Sequence, residues 1–186
     1  MDLQLNNKTA FISGSTAGIG FSIAKALADE GANVIVNGRS ESSVKQAIKS
    51  LKSTAKGNVD GFAGDLSIAA EAEKLTKQFP EVDILINNLG IFEPVPFEEI
   101  ADEDWQRFFD VNVLSGVRLT RAYLPAMKQQ NWGRVIFISS ESGVQIPAEM
   151  IHYGMTKAAQ IAIARGLAEQ VAGTNITVNS VLPGPT

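Results

Sequence analysis

Short apolar runs alternate with longer stretches in which apolar residues recur every three or four positions, from Thr9 to Val181. The short runs are rich in β-branched and aromatic residues and are bounded by Gly, Asn or Ser. They predict strands at Thr9–Ser13, Asn33–Asn37, Val59–Ala63, Ile84–Asn87, Arg134–Ser139 and Ile176–Val181. The periodic stretches predict helices at Ile19–Glu30, Ser42–Ser53, Ala69–Gln78, Asp102–Lys128 and Ile151–Val171, with Gly31 and Gly173 placed to end the first and last. Pro94 and Pro96 mark a loop after the fourth strand. Strand–helix alternation calls for parallel strands joined by right-handed crossovers, which put helices on both faces of the sheet. The expected fold class is therefore α/β: a doubly wound parallel sheet, Rossmann-like, in three α/β/α layers. No repeat or linker interrupts the pattern, and 186 residues suit one core, so one domain over 1–186 is expected.

Between the first strand and the first helix lies Ser13-Gly14-Ser15-Thr16-Ala17-Gly18-Ile19-Gly20. Glycines at such a turn let main chain approach a pyrophosphate at the helix N-terminus. A tight strand-to-helix connection would use the same residues, and the spacing G-x-x-x-G-x-G differs from the commoner G-x-G-x-x-G. Some 20 residues further on, where an acid would bind a ribose 2′-hydroxyl, the chain reads Asn37-Gly38-Arg39-Ser40. The Arg39 guanidinium suits a 2′-phosphate, which favours NADP over NAD; its plain alternative is a solvated residue at a strand end.

Tyr153 and Lys157 stand four apart on a predicted helix, so both face one ligand. A phenol ordinarily titrates at about 10, and a neighbouring ammonium favours the phenolate, which gives the lysine a chemical purpose beside a tyrosine acid–base. An interfacial tyrosine with an exposed lysine is the plain alternative. Thirteen residues before Tyr153, Ser140 follows the apolar run Val135–Ile138, at the strand end where open α/β sheets bind ligands. Ser139 and Ser142 compete with it, and only the offset to Tyr153 selects Ser140.

Composition narrows the function. Twenty acidic against 16 basic residues give a net charge of −4 without a block of like charges, which argues against nucleic acid. With no cysteine and a single histidine, neither a thiolate nor a histidine-cluster metal site is expected, and a reducing cytoplasm fits. Met1–Lys8 lacks the order of a signal peptide, and no apolar run is long enough for a bilayer, so a soluble cytoplasmic protein without a membrane partner is expected. His152 is read as a packing or surface residue, and Trp105, Phe108, Phe109 and Trp132 as packing or interface residues.

Taken in order, the glycine pattern, Asn87-Asn88-Leu89-Gly90, Asn112 in Asp110-Val111-Asn112-Val113, Ser140, Tyr153-x-x-x-Lys157 and Pro183-Gly184 resemble the short-chain dehydrogenases/reductases, single-domain subgroup, from Lys8 to Thr186. The resemblance implies an enzyme that moves a hydride between NADP(H), or alternatively NAD(H), and a carbonyl or alcohol substrate. It makes Tyr153 the general acid–base, Lys157 its partner and a ligand of the nicotinamide ribose, Ser140 the donor to the reacting oxygen and Asn112 the holder of a relay water. Cofactor contacts are implied at Gly14, Ser15, Gly18, Ile19, Gly20, at Asp65 near the adenine, at Asn88 and Gly90 near its ribose, at Tyr153, Lys157, Pro183 and Gly184 near the nicotinamide, and at Arg39 on the 2′-phosphate. Pairing of the helices at Asp102–Lys128 and Ile151–Val171 into a homodimer or homotetramer is implied as well.

Three departures accompany the resemblance. Ser13 stands where threonine is usual, which keeps the hydroxyl, and Leu89 replaces the usual alanine, which adds bulk beside the cofactor turn. The family continues for several dozen residues beyond Pro183-Gly184-Pro185-Thr186 through a substrate-covering segment. A fragment is expected, because a natural truncation would leave a bare strand edge. A cofactor-binding scaffold or redox sensor without turnover is the alternative function, and retention of both Tyr153 and Lys157 argues against it. Sterols, sugars, acyl thioesters and small ketones all stay open as substrates.

Overall fold

The computed structural model describes residues 3–184. Six strands, β1 (Thr9–Ile12), β2 (Asn33–Gly38), β3 (Val59–Ala63), β4 (Ile84–Asn87), β5 (Gly133–Ile138) and β6 (Ile176–Val181), form one sheet in the order β3-β2-β1-β4-β5-β6. Every pairing is parallel. The doubly wound α/β/α architecture expected from the alternation is present. After β3 the chain crosses from one edge of the sheet to β4, beside β1. That reversal opens a crevice beyond the C-terminal ends of β1 and β4, where such sheets bind ligands.

The strands are buried on both faces, so their residues alternate between two cores rather than between core and water. Phe11, Leu85 and Phe137 point to one side, against Leu119, Tyr123 and Met127. Ala10, Ile12, Val34 and Val36 point to the other, against Ala24, Ala28, Val44 and Leu51. The second group belongs with α1 (Gly18–Asp29) and α2 (Glu41–Leu51). The first belongs with α3 (Ala69–Gln78) and the helices after β4. At the N-terminal end of the sheet, far from the crevice, Trp132 is flanked by Lys8, 3.8 Å from its ring centre, and Arg134, at 4.5 Å. It is a packing residue, as its sequence context suggested.

The single helix expected over Asp102–Lys128 is instead two, α4 (Asp102–Phe109) and α5 (Ser115–Gln129), joined by a π-turn over Asp110–Leu114. A π-turn adds a residue to one turn and shifts the faces that follow it. Hydrophobic periodicity over 27 residues averages such a slip away, so only the structure displays it. The last helix, α6 (Ile151–Gln170), packs against β5, β6 and the π-turn. An apolar groove of about 350 Å³ runs along α5 and α6, lined by Val117, Leu124, Ile163 and Leu167. Among the described residues, no helix is long and apolar enough to cross a membrane.

Candidate active site

The turn after β1 is shaped by its main chain. Gly14 has φ +60°, in the left-handed region where a side chain is strained. At Gly20 the constraint is space: a Cβ there would lie 2.5 Å from both the Gly14 carbonyl oxygen and Asn88 Nδ2. Asn88 explains that crowding, because Nδ2 donates to the oxygens of Ser13 at 3.0 Å and Gly14 at 2.9 Å. The Ser13 hydroxyl accepts from the N–H groups of Asn88 and Leu89 at 2.9 and 3.0 Å, which ties β1 to β4 at the crevice. No side chain caps the N-terminus of α1, and its first turn carries no acid. Its first N–H groups therefore have no side-chain acceptor among the described residues, an arrangement that suits an anion.

Asn37, at the end of β2, holds this turn from the other side. Its Oδ1 accepts from Gly14 N at 3.0 Å, and its Nδ2 donates to the oxygens of Phe62 and Gly64 at 3.2 and 3.1 Å. Ser15 is fully buried; its hydroxyl donates to Ile12 O at 2.6 Å and accepts from Asn37 N at 2.9 Å. A cavity of about 160 Å³ opens here, lined by Gly14, Thr16, Ala17, Arg39, Asp65 and Leu89 among others. Asp65 Oδ1 accepts from the N–H and hydroxyl of Ser67 at 3.0 and 2.7 Å, which fixes the carboxylate at the rim. Leu89 lies on this wall, and its side chain also packs on the core.

A second cavity, of about 190 Å³, collects Ile19, Asn88, Gly90, Ser140, Tyr153, Lys157, Pro183 and Gly184. Residues from five separate stretches of sequence thus meet at the C-terminal end of the sheet. The three serines after β5 differ in what they bond. Ser139 is buried and donates to Lys157 O at 2.8 Å, so its hydroxyl braces α6. Ser140 Oγ lines the cavity and accepts from Ser142 N at 3.1 Å. Phe92 meets the Tyr153 ring edge-on at 6.3 Å between centroids.

Lys157 is 5% exposed rather than solvated. Its Nζ lies 5.5 Å from the centre of the Tyr153 ring and donates to Ile138 O at 2.9 Å and to Gln160 Oε1 at 3.4 Å. Loss of solvation on burial pulls its pKa down to about 8. Asn112 sits in the π-turn, behind the cavity wall. Its Oδ1 accepts from Ile91 N at 2.8 Å, and its Nδ2 donates to Ile91 O and to Thr156 Oγ1, both at 2.9 Å. Thr156 in turn donates to Tyr153 O at 2.7 Å. One buried asparagine therefore links the loop bearing Phe92 to the turn of α6 bearing Tyr153.

His152 packs beside Phe108, 4.0 Å between ring centroids, and Trp105, at 6.0 Å. It is fully buried, and loss of solvation lowers its pKa. Neither ring nitrogen has a hydrogen-bond partner among the described residues. No cluster of His, Asp or Glu among those residues could hold a metal ion.

The family model for short chain dehydrogenase matches residues 8–186. The chain is a short-chain dehydrogenase/reductase. It is accordingly an NAD(P)-dependent oxidoreductase acting on the CH–OH/C=O pair. Among its relatives, a protein named uncharacterized oxidoreductase YvaG from Bacillus subtilis is 52% identical over 187 residues, covering 100% of this chain and 71% of that one. The D-beta-hydroxybutyrate dehydrogenase of Cupriavidus necator is 38% identical, with 97% of this chain and 71% of that protein covered. In structure, the L-sorbose reductase of Gluconobacter frateurii, complexed with NADPH and L-sorbose, superposes with a TM-score of 0.92 at 34% identity, covering 99% of this chain and 72% of that one.

Sequence reasoning about this dehydrogenase/reductase missed Asn37, Thr156 and Gln160 as members of the site. A signal existed for one of them. Gln160 is a polar residue among Ala158, Ala159, Ile161, Ala162 and Ile163, on the same helical face as Lys157. For Asn37 and Thr156 no local pattern distinguishes a buried, bonded side chain from a surface one.

Proposed function

We propose that this enzyme reversibly transfers a hydride between NADP(H) and a carbonyl/alcohol pair, with Tyr153 as general acid–base. The convergence of Ser140, Tyr153 and Lys157 on one cavity, beside the uncapped start of α1, carries this reading. A dinucleotide fits the chain's own groups: open N–H donors at α1 suit the pyrophosphate, and the two cavities flank that turn. When bound, the nicotinamide supplies or accepts the hydride. In reduction, Tyr153 gives its phenolic proton to the substrate oxygen, and in oxidation it takes that proton back. Ser140 Oγ already accepts from Ser142 N, so its own O–H is left as a donor to the substrate oxygen as charge develops. The Lys157 ammonium attracts the phenolate and offers an N–H to a ribose hydroxyl. Asn112 holds the Ile91 loop and the Tyr153 turn in register; with its amide committed to Ile91 and Thr156 and its main-chain oxygen accepting from Gln160 Nε2, a relay water would have to share that oxygen's second lone pair.

Preference for NADP rests on the end of β2. The Asn37 amide is committed to Gly14, Phe62 and Gly64 and carries no charge, so it is not the acid that binds a ribose 2′-hydroxyl most strongly. At Gly38 a Cβ would lie 2.6 Å from Thr16 Cγ2, so an acid there would require Thr16 to move. Arg39 at the rim is then the group that meets the 2′-oxygen, and a guanidinium favours phosphate. Nicotinamide fluorescence titration tests this: NADPH should bind more tightly than NADH. Arg39→Ala should weaken NADPH by roughly tenfold to a hundredfold, the worth of a charge-assisted hydrogen bond, and leave NADH unchanged. Tighter NADH binding by the unaltered protein would refute the assignment of Arg39.

A further inference from the structure

Gln160 lies on α6 one turn beyond Lys157, is 2% exposed, and has no part in the chemistry above. A buried amide left without partners costs on the order of 1–3 kcal/mol, so the bonds it makes carry information. Its Nε2 donates to the main-chain oxygen of Asn112 at 2.6 Å, and its Oε1 accepts from Lys157 Nζ at 3.4 Å. These neighbours fix which way the amide faces. Turned over, it would set oxygen against a carbonyl and N–H against an ammonium.

An ammonium has three N–H donors. Ile138 O on β5 takes one and Gln160 Oε1 another, which leaves one for the cavity that Lys157 lines. We propose that Gln160 is a positioning residue for Lys157, holding the ammonium between β5 and the π-turn so that its remaining N–H and its charge serve the cavity. The proposal rests on the reading of Lys157 given above.

Gln160 also acts on the charge itself. Its carbonyl oxygen favours the protonated amine and so opposes the burial that draws Lys157 down to about 8. Other charged groups are placed to do little of this. Tyr153 is the one other titratable side chain lining the cavity. On the elements packed against α6, Glu141 is exposed on the turn after β5 with its carboxylate beside Gly184, and Glu149 just before α6 is exposed. Arg134 at the start of β5 donates to the Gly133 and Asn175 oxygens, Asp110 on the π-turn faces Arg118 at 3.6 Å, and β6 carries no charge. Asp104 and Arg107 of α4, with Glu93, act on His152 at the start of α6.

The test is the NADPH dissociation constant, followed by nicotinamide fluorescence from pH 7 to 10, with circular dichroism confirming the fold of each variant. Affinity of the unaltered protein should fall with a midpoint near pH 8, as Lys157 loses its proton, and Lys157→Met should abolish that fall. Gln160→Met keeps the volume without the amide and should move the midpoint down by about half a unit or more, whereas Gln160→Glu sets a carboxylate against the ammonium and should move it up. A purely structural role would lower the melting temperature and leave the midpoint in place. If both Gln160 variants keep the original midpoint, the proposal is overturned while the role of Lys157 stands; should one variant fail to fold, the other decides. If the fall survives Lys157→Met, the reading of Lys157 is wrong and the proposal goes with it.

Discussion

In the turn from β1 to α1, the start of the helix has no side-chain cap, and side chains such as Asn37 and Asn88 serve to hold the main chain in place. In the segment from β5 to α6 the facing groups are side chains, and a buried network of Ser139, Asn112, Thr156 and Gln160 holds the helix that bears them. The difference fits the chemistry proposed for each. A pyrophosphate is bound by dipoles and open N–H groups, whereas proton transfer needs a titratable group at a set distance from its partner. The first design should be intolerant of an added carbon and the second of a lost polar atom. A similar contrast separates two helix starts: α2 is capped by Ser40, whose side chain accepts from Ser43 N at 3.3 Å, while α1 has no side-chain cap.

The largest effect should come from the side-chain design. Tyr153→Phe is expected to lower turnover by about 10²–10⁴-fold, the usual worth of a general acid–base, with a far smaller change in NADPH affinity. Steady-state kinetics on a carbonyl screen beside a fluorescence titration would show it; loss of binding together with turnover would erase the distinction between the two regions. The main-chain design should fail next. Gly20→Ala forces the Gly14 carbonyl and Asn88 to move, at a cost of about 1–3 kcal/mol in stability and roughly tenfold or more in NADPH affinity. Denaturant melts and the same titration check both numbers.

Ala17→Asp sharpens the contrast between the helices. The residue already has the extended conformation of a cap, φ −157° and ψ 173°, so an aspartate should stabilise the fold by about 0.5–2 kcal/mol while its charge weakens NADPH binding. A gain in melting temperature without any loss of affinity would mean that α1 does not face the pyrophosphate.

The smallest effect concerns the packed side of α6. Buried His152 has a pKa below the ordinary 6.5, so as pH falls below about 6.5 the unfolded chain takes up a proton that the folded chain refuses. Stability should therefore decline on acidification through that window until the folded-state value is passed. His152→Leu should flatten the decline in a series of thermal melts from pH 7 to 5; an unchanged slope would assign the acid sensitivity to other groups.

The six strands, their parallel alternation with helices, and the turn at Gly14–Gly20 were legible because each depends on residues within one short window. Apolar run length, β-branching, helical period and the steric needs of glycine are local properties, and they survive without knowledge of neighbours. The motif order from Gly14 to Gly184 carried the choice of Ser140, Tyr153 and Lys157, and the structure brings those three to one cavity. Tertiary structure alone decided that Lys157 is buried, that Ser139 braces α6, that a π-turn divides the helix after β4, and that Gln160 bridges Lys157 to Asn112. Those outcomes depend on partners distant in the chain, 44 residues from Asn112 to Thr156 and 48 from Asn112 to Gln160. A side chain's solvation and hydrogen bonds are set by what the fold packs against it, and the period of a sequence records which face a residue takes without recording what waits on the other side.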